Sequence, residues 1–492
     1  MEGSGTAIVL GFCLAYLGFV LIIGLLSGRG VSHSVTGFVA GDRKMGGVLL
    51  YFVISAAIYS SFAFLGAPGW AYSRGGAAFY VLCFSCLGAI PLYFLGPRAR
   101  RWGELHGFVT QAEMMGWRFE SRTLQGLLAV IGVAVMIPYL TLQMKGAGLI
   151  LATLSNGAIP NWTGAALVYG VVVTYVWVSG VMGVGWTNAL QGVLMMATAW
   201  FLGFYIPWIL HGGIGPMFRE LAASSHAQML TAPGLTASGA PWNWWEFSSW
   251  ILISAAGFSC WPHIFMKSFA APSDRQMRLT ILLYPTFQIL MVPLLFVGFA
   301  AILAYPGVSP ADSIVPFLLT RTGLPLGVVG IASIGVLAAS MSTGDTLLHA
   351  SASSAIRDGL GAIGLSPRSD YTERWLMRVA VLAVAALAYW FAMDSSISLV
   401  ALLAATYGGV AQLLPPLVAA FYWRRASAPG VTAGLLTGIV VNVVLLRHPE
   451  WRPLPLHEGI FGLTANTAVL IGLSLLLPGG GATHRKGYAA AA

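Results

Sequence analysis

An all-α protein that crosses a membrane many times is the fold class this sequence predicts, and three observations predict it. Only 8% of its 492 residues are charged while 57% are hydrophobic; soluble domains carry roughly 25% charged residues. The mean hydropathy is +0.80, and apolar residues come in long unbroken runs rather than the short alternating segments of a membrane β-barrel. Lys and Arg are distributed unevenly between the two sides of those runs. High hydrophobicity also excludes intrinsic disorder. The net charge of +9 arises from dispersed loop residues. No basic run interleaved with aromatics is present to track a phosphate backbone, so no nucleic-acid partner is expected.

A helix needs about 20 apolar residues to cross the hydrocarbon layer. Thirteen runs qualify, at 6–26, 47–71, 76–96, 124–151, 163–182, 187–210, 247–268, 279–304, 326–355, 375–392, 396–422, 428–446 and 460–478; they are called spans one to thirteen. No Lys or Arg precedes the first, so it reads as a retained helix rather than a secretory signal. The Gly-, Pro- and Ser-rich stretch 213–246, with Trp244 and Trp245, reads as an external loop. With these spans, 19 of the 25 Lys and Arg fall on one side. Arg74, Lys145, Arg219, Arg321, Arg447 and Arg452 are the six on the other. Basic loops stay cytoplasmic, which predicts an external N-terminus, an internal C-terminus and residence in the cell (inner) membrane. Cys13, Cys83, Cys86 and Cys260 all lie in apolar runs, so neither a disulfide framework nor a zinc site is expected.

Spans two and seven carry helix breakers in mid-run. Span two reads Ser60-Ser61-Phe62-Ala63-Phe64-Leu65-Gly66-Ala67-Pro68-Gly69, and span seven reads Gly257-Phe258-Ser259-Cys260-Trp261-Pro262-His263. Proline removes a backbone hydrogen bond, and unpaired backbone at membrane depth is tolerated only where it is buried or lines a cavity. The two spans lie five apart and enter from opposite sides, so spans two to six and seven to eleven form repeats of inverted topology. Such pairs of discontinuous helices mark secondary transporters, with solute and ion at the midplane. The expected organisation is an N-terminal helix and loop at 1–46, a first repeat at 47–211, an external loop at 212–246, a second repeat at 247–422 and two further helices at 423–492.

Fifteen of the sixteen acidic residues map to loops, termini or span ends; Asp345, in span nine, is the exception. An intramembrane charge marks a functional candidate. Ser342, Thr343, Asp345 and Thr346 supply several oxygens within little more than a turn, the donor type a hard cation takes. Asp345 and His349 share a helix face, which opens an alternative of proton coupling through this pair. Ser and Thr also serve as glue between spans, so a structural role stays open. Ser60 and Ser61 at the first break, Tyr139 and Gln143 after Pro138, Trp261 and His263 around the second break, and Asn188 with Gln191 in span six are further polar candidates, for solute contact or packing. Lys145 is placed to snorkel or to draw an anionic solute. There is no P-loop, HExxH or GxSxG elbow, and no loop is long enough for a nucleotide-binding domain. Ser342, Asp345 and His349 on one helix cannot surround a reacting atom, so an intramembrane enzyme is not expected. A receptor with a transporter-like membrane part would append a signalling domain, and only a short tail follows span thirteen.

These motifs together resemble the sodium:solute symporter family from about residue 36 to 435. The matching pieces, in order, are Phe38-Val39-Ala40-Gly41-Asp42-Arg43, Leu65-Gly66-Ala67-Pro68-Gly69, Pro138-Tyr139 with Leu142-Gln143, Trp186-Thr187-Asn188 with Gln191, Pro262-His263, Ala339-Ser340-Met341-Ser342-Thr343-Gly344-Asp345 and Arg357-Asp358. The resemblance implies a LeuT-like fold of five plus five inverted repeats, here with about thirteen transmembrane helices. It implies one sodium ion held by the backbone carbonyls of Ala56, Tyr59 and Ala339 and the hydroxyls of Ser342 and Thr343. Where the family commonly has an acid, this chain has Asn188, so one sodium per solute is expected. Asp345, Asn188 and His349 are the candidates for coupling or a second ion. The C-terminal region, with Trp451-Arg452-Pro453-Leu454, looks most like bacterial monocarboxylate permeases. A short monocarboxylate is therefore the leading expectation for the solute, with proline or another amino acid, or a pantothenate-like acid, as alternatives.

Overall fold

The computed structural model describes residues 3–29, 32–393 and 406–477. These residues are helical almost throughout; the one β-bridge described pairs Leu235 with Pro241. Nine helices among them are long and apolar enough to cross a membrane. The positions follow the apolar runs, while the subdivision differs. Spans five and six are two helices within Asn161–His211 that meet at a kink at Gly180, whose φ of 56° turns the chain without a Cβ penalty. Part of expected span eleven, 394–405, lies outside the described residues, as does the tail after 477. With its broken and short helices and several apolar spans, the chain is an integral, multi-pass membrane protein.

Both expected breaks are present. Span two runs as Gly47–Ala56, leaves helical conformation at 57–60 and resumes through a π-helical turn, Phe62–Gly66, into Ala67–Arg74. Pro68 follows the π-helical turn directly, inside the resumed helix, where its missing N–H removes one backbone bond. Span seven runs as Trp244–Phe258 and restarts at Pro262–Phe265, with Pro at the start. Ser259, between its halves, donates to the Gly88 carbonyl and accepts from Leu92 N–H at 3.2 Å, tying the break to span three.

Span nine, Leu326–Ser354, is the central strut. It packs on Asn161–His211, on Arg122–Leu154 and on span one, Gly3–Ser27, and every residue from Val336 to Ser353 is buried. Its Ala, Ser and Gly content lets neighbouring backbones approach closely. At one end, Arg357 holds Glu113 at 2.8 Å and Glu373 at 3.0 Å, joining spans nine and ten to the helix Gln111–Arg118.

The half of span two beyond the break, Ala67–Arg74, rests closely on span eight. A Cβ on Gly298 would lie 2.1 Å from the Pro68 carbonyl oxygen, a backbone atom that cannot rotate away. Gly298→Ala therefore destabilises the protein by about 1–3 kcal/mol, the cost of overpacking. Thermal unfolding in detergent checks this, with Gly11→Ala, where nothing stands within 4 Å of the new Cβ, as the neutral control.

Candidate cation and solute site

The helix Gly47–Ala56 ends inside the protein, so its last carbonyls lack intrahelical partners and carry the negative end of the helix dipole. Span nine faces this end with hydroxyls. Ser342 Oγ lies 3.1 Å from the Ala56 carbonyl oxygen and 3.1 Å from that of Ala339. It has one proton and cannot satisfy both. Thr343 is fully buried, and its Oγ1 has no hydrogen-bond partner. Tyr59 lies in the non-helical stretch, with its side-chain hydroxyl directed away, onto the Gln288 carbonyl at 2.8 Å. Oxygens thus outnumber donors here in a water-excluded place, and a monovalent cation fits that donor set.

The break is propped by span four. The Ser61 N–H donates to Gln143 Oε1 at 2.8 Å, and Gln143 Nε2 donates to the Tyr139 carbonyl at 3.2 Å. Gln143 therefore serves the opened backbone through its Oε1 and is anchored to its own helix through its Nε2. Its own carbonyl accepts from Ser340 Oγ at 2.7 Å, and Tyr169 Oη donates to the Ser340 carbonyl at 3.0 Å. Spans four, five and nine are stitched together around the break.

Beside it lies a small cavity of ≈ 20 Å³, lined by Tyr59, Ser60, Phe84, Tyr139, Gln288 and Tyr407 among others. That is room for about one water. Ser60 turns its hydroxyl back to accept from Phe62 N–H at 3.1 Å, while Ser61 Oγ is unpartnered. Trp261 and His263 stand behind Tyr139, with ring centroids 5.2 and 6.1 Å from it. His263 is 1% exposed and its Nδ1 has no partner.

Asp345 occupies a separate niche. It accepts from Tyr175 Oη at 2.7 Å and lies 3.2 Å from Thr187 Oγ1 and 3.1 Å from Thr346 Oγ1. The two threonine protons are contested, since each hydroxyl also lies within hydrogen-bond distance of a backbone carbonyl. Asn188 donates through Nδ2 to Thr346 Oγ1 at 3.1 Å, which leaves Asn188 Oδ1 buried and unpartnered. His349 shares the helix with Asp345 but bonds the Phe38 carbonyl at 3.0 Å through Nε2; no hydrogen bond joins the two side chains among the described residues. Lys145, expected near a mouth, is buried.

Tyr175 and Gln288 lay outside the sequence reading, and Thr187 entered it only within the Trp186-Thr187-Asn188 motif, with no role assigned. Tyr175 and Thr187 reach Asp345 from positions 170 and 158 residues away. Gln288 had a readable sign. It follows Pro285 by three residues in an otherwise apolar run, and span eight is indeed interrupted there, between Asp274–Gln288 and Met291–Ala304.

Comparison with known proteins bears on this arrangement. The sequence model of the sodium:solute symporter family matches residues 38–438. The uncharacterized symporter YhjB of Bacillus subtilis (strain 168) is 31% identical over 475 residues, covering 93% of this chain and 94% of its own. A monocarboxylate transport permease protein of Rhizobium johnstonii is 23% identical over 459 residues, covering 89% and 90%. Among solved structures, a Na+-coupled sialic acid symporter in a substrate-bound outward-open state superposes with a TM-score of 0.80 at 16% identity, over 96% of this chain and 98% of that one. That likeness places the chain in the LeuT-like fold.

Proposed function

We propose that this chain, which belongs to the sodium:solute symporter family, carries a small organic solute into the cell by sodium-coupled alternating access. The observation that carries the reading is the buried meeting of Ser342 with the Ala56 carbonyl at the break of span two, beside the unpartnered Thr343 hydroxyl. Sodium, the co-transported cargo, is held there by the carbonyls of Ala56, Tyr59 and Ala339 and the hydroxyls of Ser342 and Thr343. It ties the two helices together and favours the outward-open state. Solute then binds at the cavity beside Ser60, Ser61 and Tyr139, backed by Trp261, His263 and the Gln143-propped break, and closure of the outer side follows. A ligand shifts this equilibrium only through its differential affinity for the two states.

A short monocarboxylate is the proposed solute, with proline or a pantothenate-like acid as the competing ones; the likeness to a monocarboxylate permease supports the first. The repeats are taken as 47–211 and 247–422, with the protein in the cell's inner membrane, N-terminus outside and C-terminus inside. A second cation position is proposed at Asp345, facing Asn188 through Thr346. The orphan Asn188 Oδ1 beside a carboxylate with contested donors favours it. Proton coupling through Asp345 alone is the variant of this reading; His349 is committed to Phe38.

Uptake of a panel of labelled short monocarboxylates, proline and pantothenate into proteoliposomes, with and without a sodium gradient, tests the proposal. Sodium-dependent accumulation of a short monocarboxylate is expected. Accumulation driven equally well by a pH gradient in sodium-free buffer would replace sodium with protons.

A further inference from the structure

We propose that Gln288 reads the solute, selecting molecules that present a hydrogen-bond donor beside an acceptor, such as α-hydroxy or α-amino carboxylates, over plain carboxylates. The inference deepens the transport reading above and rests on it.

Gln288 is fully buried, yet neither its Nε2 nor its Oε1 has a hydrogen-bond partner. Buried polar groups are ordinarily paired, and a primary amide brings both donors and acceptors to be satisfied. This one lines the cavity together with Ser60, Tyr139 and Tyr407. Its backbone is held in place. The carbonyl accepts the Tyr59 hydroxyl at 2.8 Å, and the neighbouring Phe287 ring meets the Tyr59 ring at 5.3 Å. The interruption of span eight after Gln288 is thereby attached to the break of span two. An amide so placed, with both ends open, is a recognition group awaiting a partner.

The chemistry of that partner follows from the amide. A carboxylate accepts from Nε2 but offers nothing to Oε1. A hydroxyl or amino group on the adjacent carbon supplies that missing donor, so the two ends are met together only by a solute carrying both. No Lys or Arg lines the cavity among the described residues, so discrimination there falls to neutral hydrogen bonds and shape. Sites built to bond a substrate OH or NH reject the analogue that lacks it, because their own polar groups are left unpaired.

The test is sodium-driven uptake of 2-hydroxypropionate, 2-aminopropionate, proline and propionate into proteoliposomes, for the parent and for Gln288→Met, which keeps the approximate volume and removes the amide. The parent is expected to prefer its best donor-bearing solute over propionate by roughly tenfold or more, and Gln288→Met to reduce that preference to about threefold or less. A parent without preference, or a Gln288→Met variant that retains it, overturns the inference while leaving sodium-coupled transport standing. The parent's own discrimination needs no variant to fold. Absence of sodium-driven uptake for every solute overturns the transport reading itself, and the inference with it.

Discussion

Replacing Ser342 with Ala is expected to raise the sodium concentration for half-maximal uptake by about tenfold or more. The hydroxyl lies 3.1 Å from the carbonyl oxygens of both Ala56 and Ala339, at the end of a helix whose terminal carbonyls point the same way. Removing an oxygen from a cation's shell forfeits a charge-assisted contact of about 1.5–3 kcal/mol, against about 1 kcal/mol for the neutral hydrogen bond lost at the same time. The first loss appears only when the cation is bound, so it registers as weakened affinity rather than as a misfolded protein. Thr343→Ala is expected to act in the same direction. Thr343→Ser, which keeps the oxygen, should restore most of the affinity. The measurement is initial uptake rate against external sodium in proteoliposomes, with thermal unfolding as the control for folding. Sodium curves unchanged in both alanine variants would remove span nine from the ion site.

The same residues show how far a sequence carries. Spans are set by composition over some 20 residues, so their positions were readable, and the breaks of spans two and seven announced themselves through Pro68 and Pro262. Span eight hid its break, because Pro285 and Gln288 are two isolated residues in a run otherwise apolar enough to pass as one continuous helix. Gly180 hid something different. Spans five and six meet there at a single residue of positive φ rather than across a loop, and no local pattern separates that kink from an ordinary connection between two spans. Within the site, Ser342 and Thr343 were legible as hydroxyls on a buried helix, but their partners were not. The Ala56 carbonyl lies 286 residues away, and a backbone carbonyl has no signature in the side-chain sequence. Gln143 shows the reverse. Its sequence context leaves solute contact and packing both open; in the fold its Oε1 accepts from the Ser61 N–H at the break, because a broken helix must have its freed backbone groups satisfied from somewhere.

Asp345→Asn is expected to leave the protein folded but to lower the solute accumulation ratio about tenfold when a tenfold sodium gradient is the only driving force. The argument begins from the cost of the native residue. A buried carboxylate needs several donors or a counter-charge. Among the described residues no ion pair reaches Asp345 within 4.0 Å, and of its three hydroxyl neighbours only Tyr175, at 2.7 Å, is not also bonded to a backbone carbonyl. A cation passing between Asp345, Thr346 and the unpartnered Asn188 Oδ1 supplies what is missing, and each coupled ion multiplies the attainable accumulation by its own gradient, about 1.4 kcal/mol per factor of ten. Asn preserves shape and one acceptor oxygen while removing the charge that draws the ion. Asp345→Leu separates structure from coupling. It removes the carboxylate that Tyr175 Oη reaches at 2.7 Å, and a buried hydroxyl that loses such an acceptor costs about 1–3 kcal/mol, so it should unfold at a visibly lower temperature than Asp345→Asn. Accumulation measured in both variants and the parent decides the matter. If Asp345→Asn accumulates solute as well as the parent, the carboxylate is a structural acceptor for Tyr175 and the ion at Ser342 is the only one that drives transport.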